Sequence, residues 1–182
     1  GARSAYRAPS YRCPKASVLP LGEDMSVLKG RINEMHASGW TFGNIGMAWG
    51  WRMLSPEAPF TEGVEWDNSA WRKVIVMMTD GDNVRSSPYG AFGRNGEHNV
   101  GSSSELDERL AEVCENMDDQ DNVTVYTITF DAGNGGVDAD TQALYEACAG
   151  NGGRHEHVLS SEELIEVFRE IAQELSNLHI KS

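Results

Sequence analysis

Apolar and polar positions along the chain alternate between two periods. After Lys73, Val74-Ile-Val-Met-Met78 is an unbroken apolar run that ends in Thr79-Asp80-Gly81-Asp82-Asn83. A run apolar on both faces predicts the central strand of a parallel sheet, covered by helices on each side. Val123-Thr-Val-Tyr-Thr-Ile-Thr-Phe130 alternates apolar residues with threonine, the period of a strand. His155-Glu-His-Val-Leu159 predicts a last strand. Ala16-Ser-Val-Leu-Pro-Leu21 predicts a short edge piece, because Pro20 brings no N–H to a ladder.

Between these runs the period lengthens to that of helices. Asp24 caps a helix with Val27, Leu28, Ile32 and Met35 on one face, ended by Gly39. A polar turn at Thr41 opens a small-residue helix that stops at Ser55-Pro56; its glycines weaken helicity, so close packing must hold it. Ser102 and Glu105 form a capping-box pattern ahead of Leu106, Leu110, Val113, Cys114 and Met117. Asp140 caps a shorter helix, Thr141 to Ala149, closed by Gly150. Ser160 with Glu163 opens a strongly amphipathic helix carrying Leu164, Phe168, Ile171, Leu175 and Leu178. Residues 1–15 have no period and predict an extended arm, while Pro56 to Asn68 and Val84 to Gly101 predict loops. Alternating strands and helices imply right-handed crossovers and a doubly wound, mostly parallel α/β sheet in one domain over residues 16–182.

Charge narrows the partners. A formal net charge of -13 over 182 residues repels nucleic acid and anionic membrane, and leaves a basic protein surface or a divalent cation as compatible partners. No apolar run is long enough to span a membrane, and the first residues lack a signal-peptide core, so any targeting segment is expected upstream. Cys13, Cys114 and Cys148 fit neither a zinc spacing nor a CxxC motif. Cys114 and Cys148 end consecutive crossover helices on either side of one strand. We expect them to form a disulfide, with Cys13 unpaired or bonded to upstream sequence, as suits an oxidising compartment.

Asp80 is the first candidate for chemistry. At the carboxyl end of a parallel strand, beside a turn opened by Gly81, a carboxylate is placed to bind a hard cation or to act as a nucleophile. As a nucleophile, with Asp82 handling the leaving-group proton, it is the mark of a Mg-dependent phosphotransferase or phosphatase, which also needs a downstream lysine. After Lys73 the only lysine is Lys181. Thr41, by spacing, is a helix cap. His155 and His157 share a strand face, as metal pairs do, without a third ligand in view. Trp40, Trp49, Trp51, Trp66 and Trp71 read mostly as core, with some available to a partner surface.

The Val-Ile-Val-Met-Met-Thr-Asp80-Gly81 run, with the Gly39-Trp40-Thr41 loop before it and alternating helices and strands after it, resembles the second half of a von Willebrand factor A (VWA) domain. Gly-Met-Ala-Trp49-Gly-Trp51-Arg-Met-Leu-Ser55-Pro56, Pro59-Phe60 and Glu-Leu-Ile-Glu-Val-Phe168-Arg-Glu-Ile-Ala172 are similar to the periplasmic part of TadG-like proteins of bacterial tight-adherence pilus assembly. The resemblance implies a non-enzymatic adhesion module, periplasmic or extracellular, held to the inner membrane by an upstream segment and binding a protein partner or pilus component. It also implies a metal-ion-dependent adhesion site for Mg2+, to which Thr41 and Asp80 contribute. The Asp-x-Ser-x-Ser loop that completes such a site is not in the sequence. Two oxygen ligands hold Mg2+ weakly or not at all, and a domain whose metal site has degenerated is the remaining alternative. The strand bearing that loop would lie beside the Val74 to Met78 strand, so its place is expected to be filled by another polypeptide or a neighbouring copy.

Overall fold

In the computed structural model the described residues are 14–37, 39–85, 91–92, 100–119, 123–131, 133 and 135–178. Cys13, nearly all of the expected arm and most of the loop between Val84 and Gly101 lie outside them. The chain divides into two compact units, Gly1–Trp71 with Asn83–Leu110, and Arg72–Asp82 with Ala111–Ser182. Along the chain run α1 (Met25–Asn33), α2 (Gly43–Leu54), β1 (Lys73–Thr79), α3 (Ser104–Asp118), β2 (Val123–Phe130), α4 (Ala139–Cys148), β3 (His155–Val158) and α5 (Ser161–Leu178).

The first unit is helical. Asp24 caps α1, its carboxylate accepting the Ser26 and Val27 N–H groups at 2.8 and 3.2 Å. The helix buries no residue, and Met25, Val27, Leu28, Ile32 and Met35 are exposed. It ends at Asn33 rather than at Gly39, because an unburied helix with Gly30 inside it has only its intrinsic propensity to extend it. Residues 16–21 form no strand: Val18 and Leu21 are exposed, and no ladder forms there. The small-residue helix is α2, which buries Gly43, Asn44, Met47 and Leu54. Its N-cap is Phe42, not Thr41, and the Gly43 N–H that a capping side chain would take goes to Asn83 Oδ1 at 2.6 Å. Trp40, Trp49, Trp51 and Trp66 are half-buried and Trp71 is exposed, so none forms a fully buried core anchor. Trp49 meets the Phe60 ring edge-on at 6.1 Å between centroids.

Among the described residues the second unit is a three-stranded parallel sheet flanked by helices, in the order β1-β2-β3. The apolar run is therefore not the central strand but the edge one. The central position belongs to β2, buried at every residue except the half-buried Phe130. Burial follows neighbours rather than hydropathy alone: β2 has a strand on each side, and the threonines that suggest a half-wet strand are satisfied internally. The ladder on the far side of β2 begins in the loop before β3, where Val125 and Thr127 donate their N–H groups to Gly150 O at 3.1 Å and Arg154 O at 3.0 Å.

The two sheet faces are packed differently. On the even-numbered face Tyr126, Ile128 and Val158 meet Val167 and Ile171 of α5, with Val74, Phe130, Leu164 and Leu175 around them. Arg154 closes that side over the Tyr126 ring, its guanidinium shared among Glu156, Glu170 and Glu174. α5 begins as the sequence indicates: Ser160 Oγ accepts the Glu163 N–H at 3.2 Å, and the Glu163 carboxylate takes the Leu159 N–H at 2.8 Å. On the odd-numbered face lies α4, whose Tyr145 carbonyl accepts the Thr127 hydroxyl at 2.7 Å. The cap of α4 is Asp138, two residues before Asp140; its carboxylate accepts the Thr141 N–H at 2.8 Å, and Asp140 sits in the first turn, where the helix dipole favours it. A disulfide joins Cys114 of α3 to Cys148 of α4, with Cα atoms 5.1 Å apart. Closing a loop of this length stabilises the fold by about 3 to 4 kcal/mol through the unfolded chain.

Candidate functional site

The carboxyl ends of the strands carry the polar chemistry of the second unit. β1 leaves the sheet at Thr79, whose hydroxyl donates to Gly81 O at 2.7 Å and accepts the Gly81 N–H at 3.3 Å, so one side chain closes the turn. Asp82 fixes the other end. Its N–H donates to Gly136 O at 2.9 Å, and its Oδ1 accepts the Asp138 N–H at 3.0 Å. Asp138 in turn caps α4, so the β1 tip is tied to the start of that helix. Gly136 is required for this approach: a Cβ there would come within 2.5 Å of Asp80 O, closer than side chains and backbone carbonyls meet. The turn amides of Gly81 and Asp82 are thus occupied.

What remains free is Asp80 itself. It is exposed, and among the described residues its carboxylate has no hydrogen-bond or ion-pair partner. Asp82, the second carboxylate of the phosphotransferase reading, is committed to the Asp138 backbone. The lysine that chemistry requires is not supplied by Lys73, which is buried at the opposite end of the strand, about 23 Å away at ~3.3 Å per residue. Thr41 belongs to the first unit, where its carbonyl accepts the Val84 N–H at 3.0 Å and Asn83 bridges Gly43 to Asp107. Among the described residues no group of three His, Cys, Asp or Glu side chains is placed to hold a metal ion. One carboxylate and one threonine hydroxyl leave most of an octahedron to water, so the donors present do not fit a firmly held Mg2+.

Below the tip, on the odd-numbered face, a polar ladder crosses from β2 to β3. Thr127 stands opposite His155 and Thr129 opposite His157. The Thr127 hydroxyl lies 3.0 Å from His155 Nδ1, and the Thr129 hydroxyl lies 3.3 Å from His155 Nε2 and 2.9 Å from His157 Nδ1. The direction of every bond follows from one end. The Tyr145 carbonyl only accepts, so the single Thr127 proton is spent on it and His155 Nδ1–H must donate to Thr127. Neutral His155 then carries its lone pair on Nε2 and accepts from Thr129, which in turn accepts from His157 Nδ1–H. Protonating His155 would turn Nε2 into a donor to Thr129, whose own proton would then have to pass to His157 Nδ1 at 2.9 Å. Burial is the main cause that lowers the His155 pKa, and His157 adds to it, while Glu146, a hydrogen bond to the Thr127 backbone and Glu156 oppose it. The pair is a structural ladder rather than a metal pair: both nitrogens of His155 and Nδ1 of His157 face threonines.

Among the site residues, Gly136 and Asp138 carry no cue in a single sequence, since they act only once the β1 and β2 tips are side by side. The threonines of β2 are visible as an alternating pattern, but their histidine partners are not. No protein-family model matches the chain, and neither a curated protein nor a solved structure does.

Proposed function

We propose that this chain is a non-enzymatic protein-interaction module of the VWA type, serving pilus assembly or surface attachment in the periplasm or outside the cell, and that its contact surface is the tip of β1 around Asp80. The reading is carried by one observation: Asp80 is an exposed carboxylate, without a partner among the described residues, at the end of an edge strand, on a turn that Thr79, Asp82 and Gly136 hold in one geometry. A rigid turn presents the carboxylate without an ordering cost on binding, which is how a small contact gains affinity and specificity. With Asp82 occupied and the lysine far away, a phosphotransferase reading has less to stand on.

Surface attachment of cells producing the complete protein, compared with cells producing Asp80→Ala, tests this. Attachment falls at least tenfold while protein level and melting temperature hold, because an exposed tip carboxylate contributes little to the core. Unchanged attachment contradicts the proposal. Mg2+-dependent hydrolysis of p-nitrophenyl phosphate that disappears in Asp80→Ala would establish the enzyme instead.

A further inference from the structure

Among the described residues β1 has a strand on one side only. The backbone groups that face outward can be assigned: Val125 and Thr127 of β2 point their N–H groups toward the β3 side, so Thr124, Tyr126 and Ile128 point toward β1. In a parallel ladder this turns Lys73, Ile75, Met77 and Thr79 inward and leaves Val74, Val76 and Met78 with outward N–H and C=O groups. Edge strands are normally blunted by charge, proline or a bulge, and Val74 to Met78 has none of these. Two of its side chains are also uncovered, Val76 at 37% and Met78 at 45% exposure, because α5 packs over β2 and β3.

We infer that this edge pairs with the same edge of a second copy of the chain, antiparallel about a two-fold axis through Val76. The sequence is complementary to itself in that register. Val76 faces Val76, Val74 faces Met78, and Arg72 faces Asp80. All of these are even-numbered residues, so the outward backbone groups meet as pairs that each exchange two hydrogen bonds. The side chains of each pair stand on one face, close enough to interact directly. Arg72 and Asp80 are both exposed, and neither has an ion pair among the described residues. They flank the neutral core of the edge as opposite charges at equal distances from Val76, so the dyad satisfies two Arg72–Asp80 pairs at once. Val76 and Met78 become covered, and the two sheets join into one of six strands.

This inference rests on reading the β1 tip as a protein contact surface, and names a second copy as what meets Asp80. Its test is sedimentation velocity on the complete chain over a concentration series, with Arg72→Asp, Asp80→Arg and the double exchange, each checked by circular dichroism for an intact fold. The wild type associates to a dimer. Each single reversal sets like charges opposite at both ends and weakens the dimer about tenfold or more. The double exchange restores it. A wild type that stays monomeric into the hundreds of micromolar, single reversals without effect, or a double exchange that fails to rescue would each overturn it. A monomeric chain whose cells still need Asp80 for attachment sinks the pairing and leaves the functional reading standing. A charge-rescued dimer with attachment indifferent to Asp80 does the opposite. Should a single reversal unfold the chain, Val76→Lys, at a half-exposed position, replaces it and must also abolish the dimer.

Discussion

β1 and β2 lie side by side in the same sheet, and their sequences misstate their positions. The strand with five consecutive apolar residues is the edge, with Val76 and Met78 exposed, while the strand interrupted by Thr124, Thr127 and Thr129 is the buried centre. Hydropathy records how much a strand gains from burial; position in the sheet records what is available to cover it. Thr127 and Thr129 are fully buried because Tyr145, His155 and His157 complete their hydrogen bonds. A satisfied hydroxyl costs little to bury, whereas the valine and methionine of β1 lack a covering element.

Substitutions in dilute solution sharpen this contrast, beginning with the largest effect. Ile128→Ala, in the β2 core against α5, lowers unfolding free energy by about 3 kcal/mol in urea titrations, since a buried cavity follows the lost methylenes. Thr129→Val keeps the shape but leaves His155 Nε2 and His157 Nδ1 without their shared partner, and costs about 2 kcal/mol by the same measurement. A loss as small as that of an exposed substitution would mean the ladder is decorative.

Acidification has a smaller, signed effect. His155 binds its proton less readily when folded than when unfolded, so the stability it contributes is present above the ordinary histidine range and falls as pH drops through and below about 6.5. Melting temperatures between pH 7.5 and 5 therefore decline, and His155→Gln removes that share of the decline. Smallest of all is Val76→Ala, worth less than about 1 kcal/mol in the dilute monomer because the side chain is already partly in water.

How far the sequence carries depends on whether an element's partner is near it in the chain. α5 is legible because its apolar stripe and the Ser160-Glu163 cap lie within one helix, and the sheet that receives the stripe immediately precedes it. α1 shows the limit of the same reasoning: Asp24 caps it as its sequence indicates, and Ser26 lowers the Asp24 pKa, yet Val27, Leu28 and Ile32 find nothing to cover them. Asp80 is legible as a strand tip from the apolar run before it. The clamp around it is not, since Gly136 and Asp138 lie more than fifty residues away and reach it only across the sheet. The cap of α2 escapes for the same reason, with Asn83 supplying from forty residues downstream what a Thr41 side chain was expected to give.

The claim that β1 is an open edge ending in a contact tip is tested most directly by amide hydrogen exchange, residue by residue, at a concentration low enough to keep the chain dissociated. Val74, Val76 and Met78 should exchange far faster than Ile75 and Met77 on the same strand, and far faster than Thr124 through Ile128 on β2, whose N–H groups all have partners. Equal protection at all five β1 positions, matching β2, would show that the edge is already covered and would contradict the account.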